Sequence, residues 1–257
     1  MSRESAPEHP RLNQWRQTLA ESGALWTSGG RFDASAGWCA AFSGSPFVDF
    51  NTVFCWGDDP ATLCARAVAE VRRAGVPALV FVAGPALGGV QIFADAKWVC
   101  IGQAPMMLLA LEDLRSEPDL DVRLLAPEDF EAAWEIGADA HRIPASAAAI
   151  SLPARSDDPN IGIWGIFDDH ELRAVMATSR RGPGVGVWSV ATARANQGRG
   201  YGRRLTCSVL WHLRAAGVTH AVLLSSVEGG PLYRNLGFCT VDNWQMWSRP
   251  RWVLGRV

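Results

Sequence analysis

Residues 60–74 place Leu63, Ala67 and Val71 on one face, a spacing that predicts an amphipathic helix. Pro60 opens it behind Asp58-Asp59 and Gly75 stands just past its end, so both boundaries carry local signals. Residues 11–21 read as a shorter helix, and 38–42 and 47–56 as strands rich in aromatic and β-branched residues. Residues 78–82 form a buried strand, 84–96 are mixed, and 98–111 alternate like an antiparallel strand or hairpin. The charged, proline-bearing joint at 114–121 divides the chain into two domains, 1–115 and 116–257. Beyond it the pattern predicts a strand at 122–125, a helix at 127–138 and an alanine-rich helix at 145–151. A hairpin follows, 161–167 and 172–179 around the polar turn Asp168-Asp169-His170, and then a strand at 184–192. A helix over 202–216 ended by Gly217, a buried strand at 221–225, a helical turn or two at 232–236 and a closing strand at 239–247 complete the order. Meander, loop, helix and strand in this sequence give an α/β (α+β) class with a mixed sheet.

Composition narrows the function. Apolar residues make up 48% of the 257, ample for buried cores, and the excess of 12 Trp over 2 Tyr points mostly to core packing. The formal charge of −2 lacks the basic field that nucleic-acid binding needs. Residues 1–10 lack a signal-peptide pattern, and the most apolar runs, 76–83 and 104–111, are too short to span a bilayer. The six cysteines include no Cys-x-x-Cys pair, and the five histidines no His-Glu-x-x-His. These features predict a cytoplasmic protein with reduced cysteines, no metal and no membrane or nucleic-acid partner.

The chemistry concentrates between Val190 and Leu205. A β-branched strand enters a loop punctuated by Gly198, Gly200 and Gly202, which opens directly into an amphipathic helix. Helix N-termini present unpaired N–H groups and the positive end of the dipole, and glycines let the backbone curl closely around an anion. Arg199, Arg203 and Arg204 add positive charge. The loop lacks the Gly-Lys-Ser/Thr ending of a Walker loop. Its Gly-x-Gly-x-Gly spacing, with no acid ending the next strand, does not fit a dinucleotide fingerprint.

Gln197-x-x-Gly200-x-Gly202 resembles the acyl-CoA loop of the GCN5-related N-acetyltransferases. About 31 residues on, Leu232-Tyr233-Arg234-Asn235-Leu236-Gly237-Phe238 is similar to that family's second hallmark, and Ser226-Val227-Glu228-Gly229 resembles the lead-in of some members. The resemblance covers residues 122–250. It implies that acetyl-CoA, or another short acyl-CoA, serves as co-substrate without a metal. The strand Val190, Ala191 and Thr192 would splay from its neighbour and pair with the pantetheine arm. The Val190 N–H would polarise the thioester carbonyl. The backbone amides of Gly198, Arg199, Gly200, Tyr201, Gly202 and Arg203 would hold the pyrophosphate, Gln197 would belong to the same cofactor-binding loop, and Ser226 would touch the cofactor arm. Tyr233 would protonate the departing thiolate, since a phenol near pKa ~10 can supply a proton to a thiolate near ~8.5. The strand 184–192 carries no carboxylate for a general base. His141 and Asp139, at the end of the first helix, are candidates, and Glu171 beside the hairpin turn reads as surface.

The first half repeats the second in degraded form. Residues 60–74 fall on 202–216 at an offset of 142, and after a two-residue change Phe93 falls on Tyr233 and Trp98 on Phe238. The glycine loop is replaced by Cys55-Trp56-Gly57-Asp58-Asp59-Pro60, where two aspartates suit the helix dipole but repel a pyrophosphate. The expectation is two GNAT-like domains, each a mixed, mostly antiparallel central sheet flanked by helices. The first would lack a CoA site and shape the acceptor cleft or a homodimer contact. The leading reading is direct acetyl transfer from acetyl-CoA to a small-molecule amine. The alternatives are a carrier-protein or non-acetyl donor in a natural-product pathway, and a non-catalytic CoA-binding or interaction module.

Overall fold

The computed structural model describes residues 9–28, 32–115, 117–141 and 158–253. The first half runs α1 (Leu12–Ser28), β1 (Phe32–Ser35), β2 (Trp38–Phe42), β3 (Asn51–Cys55), α2 (Pro60–Ala74), β4 (Leu79–Val82), α3 (Gln91–Asp95) and β5 (Val99–Ala110). The second runs β6 (Val122–Leu124), α4 (Phe130–His141), β7 (Ile161–Asp168), β8 (Glu171–Arg181), β9 (Gly184–Thr192) and α5 (Tyr201–Ala215). It ends with β10 (His220–Leu224), α6 (Gly230–Asn235), β11 (Cys239–Ser248) and α7 (Pro250–Val253). The predicted helix at 145–151 lies outside the described residues.

Where the sequence expectation is of two sheets, the eleven strands form one, in the order β1-β2-β3-β4-β11-β5-β10-β9-β8-β7-β6. The halves exchange their last strands. β5 pairs antiparallel with β10, from Ala110 opposite His220 to Met106 opposite Leu224. β11 pairs antiparallel with β4 of the first half, with Gln245 opposite Val82. The two exchanged strands then pair with each other along nearly their whole length. The charged joint at 114–121 therefore links parts of one sheet.

Helix α2 keeps the predicted limits: Asp59 accepts a hydrogen bond from the Thr62 N–H, and Gly75 closes the helix at φ +68°. Helix α1, expected over 11–21, runs on to Ser28 through Gly23. That glycine is a point of close approach and not a stop, because a Cβ there would lie 3.0 Å from Trp188 and 3.2 Å from Phe54. Those two rings belong to β3 and β9, five strands apart, or about 24 Å in a flat sheet. The sheet therefore curves around α1.

Leu19, Ala20 and Ala24 of α1 pack with Phe54, Met106, Val222 and Trp244 at the centre of this concave face. Arg16, fully buried, joins α1 to β11 through a 2.7 Å bond from its Nε to Asp242. Helix α5 covers the opposite face of the second half with Leu205, Val209 and Leu210, and α2 that of the first with Cys64, Ala67 and Val71. Helix α4 packs Phe130, Ala133 and Ile136 against Ile163, Val175 and Ala191. No helix among the described residues is long and apolar enough to cross a membrane.

Candidate functional site

The site forms where β9 and β10 part. They pair in parallel at only three positions, Gly184 with His220, Val185 with Ala221 and Gly186 with Val222. Beyond Gly186, β9 continues along β8 to Thr192, while β10 continues along β5 to Leu224. Val187 to Thr192 thus have no ladder partner on the β10 side, and a strand edge opens inside the sheet.

At the mouth of the opening β9 bulges. Ala177 pairs with Trp188 and Val175 with Ala191, so Ser189 and Val190 together oppose Met176. Ser189 takes φ +50°, uncommon for a residue with a side chain. Trp188 anchors the bend, because its Nε1–H donates to the Ser179 hydroxyl, which in turn donates to the Ser22 carbonyl, both at 2.7 Å. Val190, the expected carbonyl-polarising donor, therefore lies in an irregular segment fixed by its neighbours.

Past Thr192 a 3-10 turn, Arg194–Asn196, leads into the glycine loop. The Gln197 side chain folds back to donate to the Thr192 carbonyl at 3.2 Å. Gly198 and Gly200 take φ +76° and +85°, and a Cβ at either would meet nothing within 4 Å. Their need for glycine is conformational, and the space before them is open. Gly200 is also the N-cap of α5, with no side chain to occupy the first-turn N–H groups, so an anion can take them. Arg199 and Arg203 extend into solvent with no ion pair among the described residues. Arg204 turns away and pairs with Asp119 and Asp121 at 2.6 and 3.3 Å, so it leaves the cradle. Tyr201 buries its ring and carries its hydroxyl near the surface, where it donates to Asp168. That bond first, then burial, holds the phenol above its ordinary pKa, while Arg173 and Arg199 pull it down.

On the other wall, Tyr233 of α6 is 8% exposed and meets Phe238 edge-on at 5.6 Å. Burial pushes its pKa up to about 12, so the hydroxyl keeps its proton throughout the neutral range. The same push makes proton release harder than from a free phenol, so the hydroxyl enters any reaction in its protonated form. The Ser226 hydroxyl accepts from the Gly229 N–H at 3.0 Å and so shapes the turn into α6.

The base candidates separate. Asp139 is paired with Arg194 at 3.3 Å, tying the end of α4 to the glycine loop. Glu171 pairs with Arg173 at the hairpin end and is 70% exposed. His141 ends α4 beside the bulge. Burial of the ring lowers its pKa, and the Asp49 carboxylate and the Ser189 backbone raise it in part. The residue as a whole keeps substantial solvent exposure, which limits the downward push. A histidine with lowered pKa is neutral at pH 7 and able to accept a proton. Asp49 belongs to the first half, in the 3-10 turn Val48–Phe50 before β3. Sequence reasoning missed Asp49, the Ser189 bulge and the Tyr201–Asp168 contact, since each joins segments far apart in the chain. Among the described residues no cluster of His, Cys, Asp and Glu could hold a metal ion.

No family model matches the sequence, and no curated protein matches it either. Solved structures do resemble the fold. A GCN5-related N-acetyltransferase from Kribbella flavida matches with a TM-score of 0.67 at 19% identity, over 92% of this chain and 95% of that one. A putative acetyltransferase of the GNAT family from Novosphingobium aromaticivorans matches at 0.56 and 16% identity, over 88% and 96%. A GCN5-related N-acetyltransferase from Sphaerobacter thermophilus matches at 0.56 and 13% identity, over 91% of each chain. The likeness is one of fold, and it extends through both halves.

Proposed function

We propose that this chain transfers an acetyl group from acetyl-CoA to the amine of a small molecule by direct attack. The observation that carries this reading is the parting of β9 and β10 beside an uncapped, glycine-framed helix start. An unpaired strand edge suits an extended amide-bearing arm, and the α5 terminus suits its pyrophosphate. Acetyl-CoA supplies the activated thioester. Gly198, Arg199, Gly200, Tyr201, Gly202 and Arg203 would bind the phosphates, and Val190 to Thr192 would hydrogen-bond the arm. The Val190 N–H would polarise the carbonyl, and Tyr233 would donate to the leaving sulfur. His141, neutral and beside the bulge, would take the proton that the amine loses. We read the first half as a degenerate copy of the second, without a donor site, that borders the acceptor cleft through Asp49.

Thiol release from acetyl-CoA, followed with DTNB across a library of small amines, tests the reading. Amine-dependent release supports it. Release only from an acyl carrier protein would shift the donor, and CoA binding without release to any acceptor would favour a non-catalytic module.

A further inference from the structure

One charged side chain beside the cradle is left incomplete. Arg173 lies in a second bulge, where Ile166 pairs with Ala174 and Phe167 with Leu172, so Arg173 has no partner on β7. Its carbonyl accepts from the Ala193 N–H at 3.1 Å, pinning it where β9 gives way to the glycine loop. The side chain is 19% exposed, and one terminal nitrogen reaches Glu171 at 2.5 Å. Its Nε is buried with no hydrogen-bond partner, the only charged atom so left among the described residues. A buried guanidinium N–H without an acceptor is unfavourable and calls for a partner, which a bound anion can supply. The acid opposite Glu171 at the hairpin end, Asp168, is engaged by the Tyr201 hydroxyl. The Arg173–Glu171 pair thus sits on the hairpin end that Tyr201, the first residue of α5, reaches through Asp168, and the charge of Arg173 acts on the Tyr201 phenol.

We propose that Arg173 is a phosphate ligand for the donor, its unpartnered Nε–H and an adjacent terminal N–H turned to the phosphate oxygens seated at the start of α5. The fork of a guanidinium matches a phosphate through two parallel bonds, which a lysine cannot reproduce. Glu171 is the solvent-exposed counter-ion that holds the side chain until the phosphates arrive. The assignment rests on the acyl-CoA reading above and adds a residue from the β7–β8 hairpin to it.

Calorimetric titration of the full chain with coenzyme A, paired with turnover of S-acetylpantetheine, tests it. The second donor keeps the thioester arm and has no phosphates. Arg173→Gln should weaken coenzyme A binding about 30-fold and leave the KM for S-acetylpantetheine within about twofold. An unchanged coenzyme A affinity, or equal losses with both donors, overturns the proposal. Should Arg173→Gln fail to fold, Glu171→Gln decides. Freed of its competitor, Arg173 should then bind coenzyme A about threefold more tightly, and an unchanged or weaker affinity counts against it. Wild-type chain that binds no coenzyme A would remove the acyl-CoA reading itself and this assignment with it. Failure of the variants alone removes only Arg173.

Discussion

The entrances to α2 and α5 are built to the same plan and end in opposite states. Each helix follows a strand that pairs in parallel with the next strand of its half. In the first half that pairing is complete from Thr52 with Leu79 to Cys55 with Val82, and the Ala83 N–H extends it to the Cys55 carbonyl. In the second half it stops after three residues. The start of α2 is capped by Asp59 and covered by the 3-10 turn Gly84–Gly89, where a Cβ on Gly89 would lie 2.2 Å from the Pro60 carbonyl oxygen. Among the described residues the start of α5 has no side-chain cap, and a Cβ on Gly198 or Gly200 would meet nothing within 4 Å. Downstream the plans coincide again. Phe93 meets Trp98 at 5.7 Å and Tyr233 meets Phe238 at 5.6 Å, and in each case the second residue donates its N–H to the carbonyl of the first. Trp247 and Trp252 complete the aromatic stack of the first half. The same frame thus holds an opening in one half and, in the other, a finished ladder, a capped helix and a packing of rings.

The strongest way to break the contrast is to give the second entrance the acids of the first. The double change Gly198→Asp and Gly200→Asp places two carboxylates where the pyrophosphate would sit. Asp tolerates positive φ better than most residues, so the fold should survive. Coenzyme A affinity by calorimetry should fall about a thousandfold, since like charges brought together in a binding site cost several kcal/mol. A retained affinity would mean that the loop is not the phosphate site. Wild-type chain should bind a single coenzyme A, and two sites per chain would show that the first entrance is not closed.

Next in size is the phenol. Tyr233→Phe copies the residue at the matching position of the first half, Phe93, and removes only the donor. Turnover should fall roughly a hundredfold, with coenzyme A affinity within about twofold of wild type. An unchanged rate would take Tyr233 out of the reaction.

These predictions draw on residues that the sequence made visible to different degrees. Pro60 and Gly75 punctuate α2, so its limits were readable locally, while Gly198, Gly200 and Tyr233 were singled out through the motifs they resemble. The run of α1 past residue 21 to Ser28 left no such mark, since the close packing of Gly23 against Trp188 involves a strand far away in the chain. The strand exchange was illegible for a deeper reason. Alternation in 98–111 shows that the segment is a strand, but β5 could have paired with β4 or β10 with the same pattern. The bulge at Ser189 and the orphaned Nε of Arg173 depend on register and long-range contact, and neither leaves a local mark.

Smaller effects follow from the same comparison. The Tyr233 pKa is raised from 10 to about 12 by burial, so the folded chain holds that proton more tightly than the unfolded one. Its contribution to stability is complete below about pH 10 and is lost as pH rises toward 12. Between pH 9 and 11 wild type should lose about 1 kcal/mol more than Tyr233→Phe in urea unfolding. Equal losses would mean that the phenol is not buried as described. Phe93, with nothing to ionise, gives the first half no counterpart of this dependence.

The smallest change addresses what an acid at a helix entrance is for. Asp59 accepts from the Thr62 N–H at 3.2 Å and so occupies a first-turn donor that α5 leaves open. Asp59→Ala should lower stability by about 1 kcal/mol, as the loss of an N-cap does, and leave turnover and coenzyme A affinity unchanged. Thermal melting read beside the thiol-release assay checks both at once. A gain of coenzyme A binding at α2 is not expected, because the Gly84–Gly89 turn still lies against Pro60 after the cap is gone. On this reading the cap stabilises the helix, and the turn would keep the ligand out. If Asp59→Ala alone let α2 bind coenzyme A, the carboxylate and not the packing would be what closes the first half.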